Sequence, residues 1–355
     1  MNVVIVGAGP AGLISALNLL QEGTSPIVLE KKPEIRSTAC AEACSLKSLS
    51  AIPFDSNSYI SKSVKGAKIS YADGTCSYMK KPSAILVRIN WLRGMAQEIT
   101  ARGGQIRFNS EVLEIRPNYI RLRNGEKLDY EILLGADGPN SIVARHLGIR
   151  HQFMIASQYK VIGDSSGMDY MEFYFDKRFS RGFSWIFPKD GTINVGLEGN
   201  FAQLDAFLHH KGLDSYEIIE REAGIIPASG IQRLVYHNIA LIGDAAAITN
   251  PMSGAGLTPI IYASQMLAKN MRNLDNYERE VKQHPMAAPL LVRMRQTLIE
   301  LADQDLVNIL SFLLGNHLGK RSILLRATKL PSLFPKLNLV MNIYRGLKIA
   351  KTYGW

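Results

Sequence analysis

The 355-residue chain is 46% hydrophobic and 20% charged, with a mean hydropathy close to zero, the composition of a soluble globular protein with one large core or two lobes. Cys40, Cys44 and Cys76 are too few for a secreted disulfide scaffold, no apolar run approaches the ~18 residues of a membrane span, and no signal peptide precedes the opening strand. A reducing cytoplasm is the expected compartment.

The first thirty residues, MNVVIVGAGPAGLISALNLLQEGTSPIVLE, predict strand, glycine turn, helix and strand, a βαβ unit. Gly7, Gly9 and Gly12, with Ala11 between the last two, fit G-x-G-x-x-G: Gly7 permits the tight turn, Gly9 lets backbone approach a pyrophosphate, and Gly12 allows close helix–strand packing. Glu30 closes the second strand, where a carboxylate accepts from ribose hydroxyls. These positions predict a dinucleotide site.

Further on, GAKISYADGTCSYM reads as a hairpin turning at Asp73-Gly74, and INWLRGMAQEITARGG as a helix ending at Gly103-Gly104. IRFNSEVLEIRP, YIRLRNG and EILLGADG read as strands, the middle one turning at Asn124-Gly125. From Gln158 to Gly199 strand follows strand: QYKVIG, MDYMEFYF, GFSWIFP and TINVGLEG, the last two joined through Lys189-Asp190-Gly191. NIALIG then restarts the first lobe and the remainder is helical. The expected architecture is α/β, a Rossmann-type domain of residues 1–50, 84–150 and 235–290. An antiparallel β-sheet substrate domain of 51–83 and 151–234 is inserted in it, and a basic amphipathic helical region, 291–355, closes the chain.

That last region has no acidic residue after Asp305, so Lys320, Arg321, Arg326, Lys329, Lys336, Arg345, Lys348 and Lys351 give the final 50 residues a charge of +8. The apolar residues of VNILSFLLG, SILLRATKL and LNLVMNIYRGLKIAK argue against a nucleic-acid grip. They leave two readings: peripheral contact with a membrane surface through 306–355, or a helical cap with a solvated basic face.

Two later stretches identify the dinucleotide by resemblance. GADGPNSIVAR resembles the second signature of the flavoprotein hydroxylases, with Asp137, Gly138, Ser141 and Arg145 in the expected places. ALIGDAAAITNPMSGAGL resembles their third, which implies that Asp244 meets the flavin ribityl chain and that the loop through Pro251, Gly254, Gly256 and Leu257 passes close to the flavin ring. Arg88 matches a family arginine near the cofactor, although Leu92 stands where the family carries an aspartate. The resemblance implies FAD. No second glycine-rich fingerprint is present, so electrons are expected from transiently docked NAD(P)H or from a reduced protein donor.

Within that superfamily the chain resembles the geranylgeranyl reductase family. Cys40-Ala41-Glu42-Ala43-Cys44-Ser45 is similar to its C-[AG]-E-G-x-S loop, and Phe183-Ser184-Trp185-Ile186-Phe187-Pro188 to its Y-x-W-x-F-P strand; Ala43 replaces a glycine and Phe183 a tyrosine. The resemblance implies saturation of isoprenoid C=C bonds in a polyprenyl lipid, by hydride from the flavin and a proton from a nearby acid. Cys40 is the candidate acid or polarity-setting group, since a thiol of reference pKa ~8.5 keeps its proton at neutral pH. Glu42 either tunes Cys40 or points to solvent. Phe173, Phe175, Trp185 and Phe187 are the candidate walls for an apolar chain.

The cysteine pair has other readings. Zinc wants four ligands, and no second Cys/His pair at metal spacing is present, so no metal site is expected. A Cys40–Cys44 disulfide requires Cα atoms within ~7 Å, and Cys44 alternatively serves packing. Two rival functions share the FAD motifs: a monooxygenase of an aromatic or polyene substrate, and a non-catalytic flavoprotein that binds lipid or a partner.

Overall fold

The structure, a computed structural model, describes residues 1–36, 39–314 and 337–354. Lys320, Arg321, Arg326, Lys329 and Lys336 of the basic tail lie outside the described residues.

Six short strands form the first sheet, in the order Val235–Tyr236, Ile239–Leu241, Ile132–Gly135, Val3–Val6, Ile27–Leu29, Gln105–Arg107, all parallel except the edge strand Val235–Tyr236. Strands covered on both faces read as unbroken apolar runs, and Val3–Val6 and Ile132–Gly135 are buried at every position. Helix Pro10–Gln21 packs between Arg88–Ala101 and Leu257–Lys269. It starts on Pro10, whose fixed φ suits a first helical residue. Its cap residue is Gly9, which offers no side chain to the first-turn N–H groups.

The stretch IRFNSEVLEIRP, read from sequence as one strand, is two. Gln105–Arg107 closes the parallel sheet, while Val112–Ile115 pairs with Tyr119–Leu122 in a separate three-stranded sheet completed by Lys127–Asp129. The break falls at Asn109, in the left-handed region at φ 53, where its N–H donates to the Lys32 carbonyl and that of Ser110 to the Glu30 carbonyl. Asparagine tolerates that conformation better than most side chains.

The second sheet has eight strands in the order Ile218–Pro227, Phe153–Ile162, Thr192–Glu198, Ser184–Lys189, Met171–Phe175, Ile60–Tyr71, Cys76–Leu86, Ala43–Ser45. It is antiparallel apart from one pair: Met171–Phe175 runs parallel to Ile60–Tyr71. Gly74, Gly125 and Gly191 carry the positive φ of the hairpin turns (80°, 89° and 66°). Helix Phe201–His210, started by an Asn200/Gln203 capping box, covers one face through Leu204, Phe207 and Leu208. The opposite face presents Val64, Met171, Phe183, Trp185 and Phe187. Helices Pro289–Glu300, Asp303–Leu314 and Leu337–Tyr353 pack together over Ile69 and Tyr71.

Candidate active site

Between the two large sheets lies a cavity of about 1160 Å³. That exceeds the ~300–1,000 Å³ of pockets for drug-sized ligands. It has a polar end, on the C-terminal ends of the parallel strands, and an aromatic end, on the eight-stranded sheet.

At the polar end the glycines divide their work. A Cβ on Gly7 (φ 104) would meet the Ala136 carbonyl oxygen at 2.5 Å, and one on Gly12 would lie 1.9 Å from the Gly7 carbonyl oxygen. Gly12 therefore serves helix–strand packing and does not line the cavity. Gly9 faces the cavity with nothing within 4 Å of its missing Cβ. Ala11 lines the same surface. Glu30 accepts from the Ala8 N–H at 3.1 Å and the Lys32 N–H at 2.9 Å.

Asp137 and Gly138 line the cavity as well. The Asp137 carboxylate accepts from the Ser141 hydroxyl (2.5 Å) and the Ile142 N–H (2.7 Å), so much of its bonding capacity fixes the turn into helix Ile142–His146. Burial raises its pKa and those two bonds oppose the rise. Asp244 follows strand Ile239–Leu241. Burial pushes its carboxyl up to about 6, against the lowering pull of the Arg88 guanidinium, which lines the cavity beside it. Gly254 (φ 68), Gly256 and Leu257 also line the cavity. Pro251 does not; its carbonyl accepts from Arg295, which pairs with Glu198 on the cavity wall.

At the aromatic end Phe173, Phe183, Trp185 and Phe187 line the cavity, with Phe173 edge-on to Phe187 at 5.1 Å between centroids. Phe183, Trp185 and Phe187 share a face because side chains alternate along a strand. Gly196 lies under the indole: a Cβ there would sit 2.3 Å from the Trp185 ring. Phe175 stands apart from this cavity. It lines a smaller apolar one of about 60 Å³, shared with Leu298, Leu310 and Leu347 of the C-terminal helices. Phe173 and Phe183 border both volumes.

The Cys40 loop lies between the two ends. All three cysteines are free thiols. Cys44 is fully buried, its thiol pushed up to about 12 by burial with the Thr258 hydroxyl beside it, and serves packing. Cys40 lines the cavity, and its Sγ accepts from the Glu42 N–H at 3.2 Å. Glu42 is buried, not solvated. Its carboxylate accepts from Lys189 Nζ at 2.5 Å, Asn194 Nδ2 at 3.1 Å and the Arg88 N–H at 3.3 Å. Glu42, at φ 66, is also the left-handed residue of the loop, while Ala43 is already in strand. The glycine-to-alanine departure at 43 thus meets no positive φ; the strain, typically ~1–2 kcal/mol for a non-glycine residue, sits one residue earlier.

Sequence reasoning missed Gln158, Lys189 and Asn194. Trp185 Nε1 donates to Gln158 Oε1 at 3.0 Å, and Gln158 Nε2 donates to the Cys40 carbonyl at 3.0 Å and to Glu222 at 2.8 Å. For Lys189 a signal existed: alternation puts it on the face of Phe183, Trp185 and Phe187, where a buried ammonium demands a carboxylate partner.

A sequence-family profile described as "FAD binding domain" matches residues 2–148. A digeranylgeranylglycerophospholipid reductase from Methanosarcina acetivorans is 29% identical over 355 aligned positions, covering 86% of this chain and 86% of that protein. Among solved structures, a geranylgeranyl bacteriochlorophyll reductase-like protein from Thermoplasma acidophilum superposes with a TM-score of 0.83 at 23% identity, over 96% of this chain and 98% of that one. A probable FAD-dependent monooxygenase from Pseudomonas aeruginosa gives 0.68 at 15% identity, over 84% and 95%. These last two matches establish the fold. Residues 2–148 thus match an FAD-binding domain, and the chain as a whole is similar to the digeranylgeranylglycerophospholipid reductases.

Proposed function

We propose that the chain is an FAD-dependent reductase that saturates isoprenoid C=C bonds of a polyprenyl lipid. The observation that carries this reading is one cavity joining a dinucleotide-type glycine turn to an aromatic wall, with the Cys40 thiol between them. The curated relatives act, by their printed names, on digeranylgeranylglycerophospholipid, a lipid with polyprenyl chains.

The residues at the polar end fit FAD. Gly9 leaves room for a pyrophosphate beside helix N–H groups that no side chain caps. Glu30 would accept from ribose hydroxyls, Asp244 would meet the ribityl chain with Arg88 near the cofactor, and the loop from Gly254 to Leu257 would pass close to the ring. Bound there, FAD supplies hydride-transfer chemistry. Phe173, Trp185 and Phe187 exclude water from the reacting bond and orient an apolar chain against that end. Cys40 holds the second hydrogen as a proton on Sγ. Electrons enter from NAD(P)H or a reduced protein donor.

The test is anaerobic turnover. Dithionite-reduced protein mixed with a geranylgeranyl lipid is expected to give product heavier by about two mass units per saturated bond. No product without oxygen, with oxygen consumed in step with product or product that gains oxygen in a parallel aerobic assay, would support the monooxygenase instead.

Asp244 gives the site a pH dependence. Its carboxyl, near 6 when folded, lies above the ~3.9 of an unfolded aspartate. The cofactor-free chain therefore binds this proton more tightly than its unfolded state does, and loses stability as pH rises from about 4 through about 6. A ribityl hydroxyl donating to the ionised carboxylate acts in the opposite sense, so FAD affinity is expected to be up to about tenfold weaker at about pH 5 than at about pH 7. Fluorescence titration with FAD checks this, and Asp244→Asn should flatten the profile. A wild-type profile already flat across that window removes Asp244 from the cofactor site.

No helix among the described residues is long and apolar enough to cross a membrane. Peripheral contact is supported by helix Leu337–Tyr353, which exposes Met341 and Tyr344 beside Arg345 and Lys348. Co-sedimentation with anionic vesicles is expected to fall on charge reversal of Arg345 and Lys348. Undiminished binding sinks the contact.

A further inference from the structure

Three adjacent strands of the eight-stranded sheet aim polar side chains at the loop that carries Cys40, behind an otherwise aromatic wall. Gln158 holds the Cys40 carbonyl, and Asn194 holds both the Ala41 carbonyl and the Glu42 carboxylate. Lys189 and Glu42 form an ion pair in which each side chain is 8% exposed. Asn194 spends its amide nitrogen here and leaves its buried Oδ1 without a hydrogen-bond partner among the described residues, a cost tolerated where the geometry of the acceptor matters.

A buried carboxylate keeps its charge only when a cation and hydrogen-bond donors replace the water it has lost. The residue they stabilise is also the one whose backbone stands at φ 66 and whose N–H donates to Cys40 Sγ. We infer that Lys189 is a positioning residue for Cys40: by neutralising the buried Glu42 it holds the left-handed turn that aims the Glu42 N–H at the thiol, and it balances the charge felt at Sγ. The inference deepens the reading of Cys40 as the proton holder and rests on it for its catalytic meaning. The thiol's own chemistry tests it separately from turnover.

Other charged or titratable groups face the pair. Lys160 comes from strand Phe153–Ile162 with its partner Glu220, Glu222 comes from Ile218–Pro227, Arg88 stands at a helix start, and Cys44 lies further along the loop. All of them stay constant in the comparison below, so the sign of each shift reports the pair alone.

The experiment measures iodoacetamide alkylation of Cys40 against pH by peptide mass spectrometry, in FAD-loaded protein with Cys76→Ser as background. Lys189→Met leaves an unbalanced anion by the thiol, so the alkylation midpoint is expected to rise by about one pH unit, roughly tenfold in rate at neutral pH. Glu42→Gln leaves an unbalanced cation and is expected to lower the midpoint by a similar amount. The double variant and Lys189→Arg are both expected to return close to wild type. A merely structural role would move both single variants the same way; that result, or no movement, overturns the inference. Should Lys189→Met lose FAD, the double variant must retain it with a near-wild-type midpoint, and its failure to do so overturns the inference as well. Opposite shifts in protein that reduces no prenyl substrate would keep Lys189 as a positioning residue and remove the reductase reading.

Discussion

Replacing Gly12 with alanine is expected to yield a chain that purifies without bound FAD and melts at lower temperature. The new Cβ would lie 1.9 Å from the Gly7 carbonyl oxygen and 3.1 Å from its carbon. Both atoms are backbone and belong to the turn proposed to cradle a pyrophosphate, so no side-chain rotation relieves the clash. Helix Pro10–Gln21 must move away from strand Val3–Val6, whose four residues are all buried. Overpacking of this kind typically costs ~1–3 kcal/mol, sometimes more. Displacement of the helix start also removes the N–H groups that would meet the phosphates. The visible flavin spectrum and thermal melting of the purified protein check it. Full occupancy with an unchanged melt would show that the turn carries neither packing nor cofactor.

Cys40→Ala is the second large effect, and its expected signature is selective. FAD binding and folding should be retained, because the Gln158 amide bonds the Cys40 backbone carbonyl, which alanine keeps. The lost Sγ accepts only from the neighbouring Glu42 N–H among the hydrogen bonds described. Alkene reduction is expected to fall about 10²–10⁴-fold, the usual contribution of a positioned proton donor. Single-turnover oxidation of the reduced protein by a prenyl substrate, followed at the flavin absorbance, reads the step directly. A variant with full activity removes the thiol from the mechanism.

Much of the scaffold was legible because certain backbone shapes admit few residues. The opening βαβ unit announces itself through Gly7 and Gly12, positions where a Cβ cannot fit. The hairpins at Gly74, Gly125 and Gly191 were readable for a related reason, since each needs a positive φ. Strand partnership was not readable. Alternation in MDYMEFYF identifies a strand but says nothing of its pairing parallel to Ile60–Tyr71, some hundred residues earlier. The same limit applies at the site. Alternation puts Phe173 and Phe175 on one face, yet only Phe173 reaches the large cavity, the other reaching the smaller volume beside it. In isolation Glu42 reads either as a partner of Cys40 or as a solvated carboxylate; its buried pairing is with Lys189, 147 positions later in the chain, and no local pattern encodes that meeting.

The far end of the chain returns to the site. Gly354 lines the large cavity, and its carbonyl accepts from the Ser253 hydroxyl, next to Gly254 of the loop that reads as the flavin contact. Just before it, Tyr353 packs against His284 and Tyr262. The 17-residue helix that ends there, about 25 Å long at 1.5 Å per residue, carries Arg345 and Lys348 exposed on the outside and leads directly into Gly354 at the cavity. One helix therefore links the surface that carries Arg345 and Lys348 to the carbonyl that the Ser253 hydroxyl holds, so a contact made at the first is one helix away from the loop at the second.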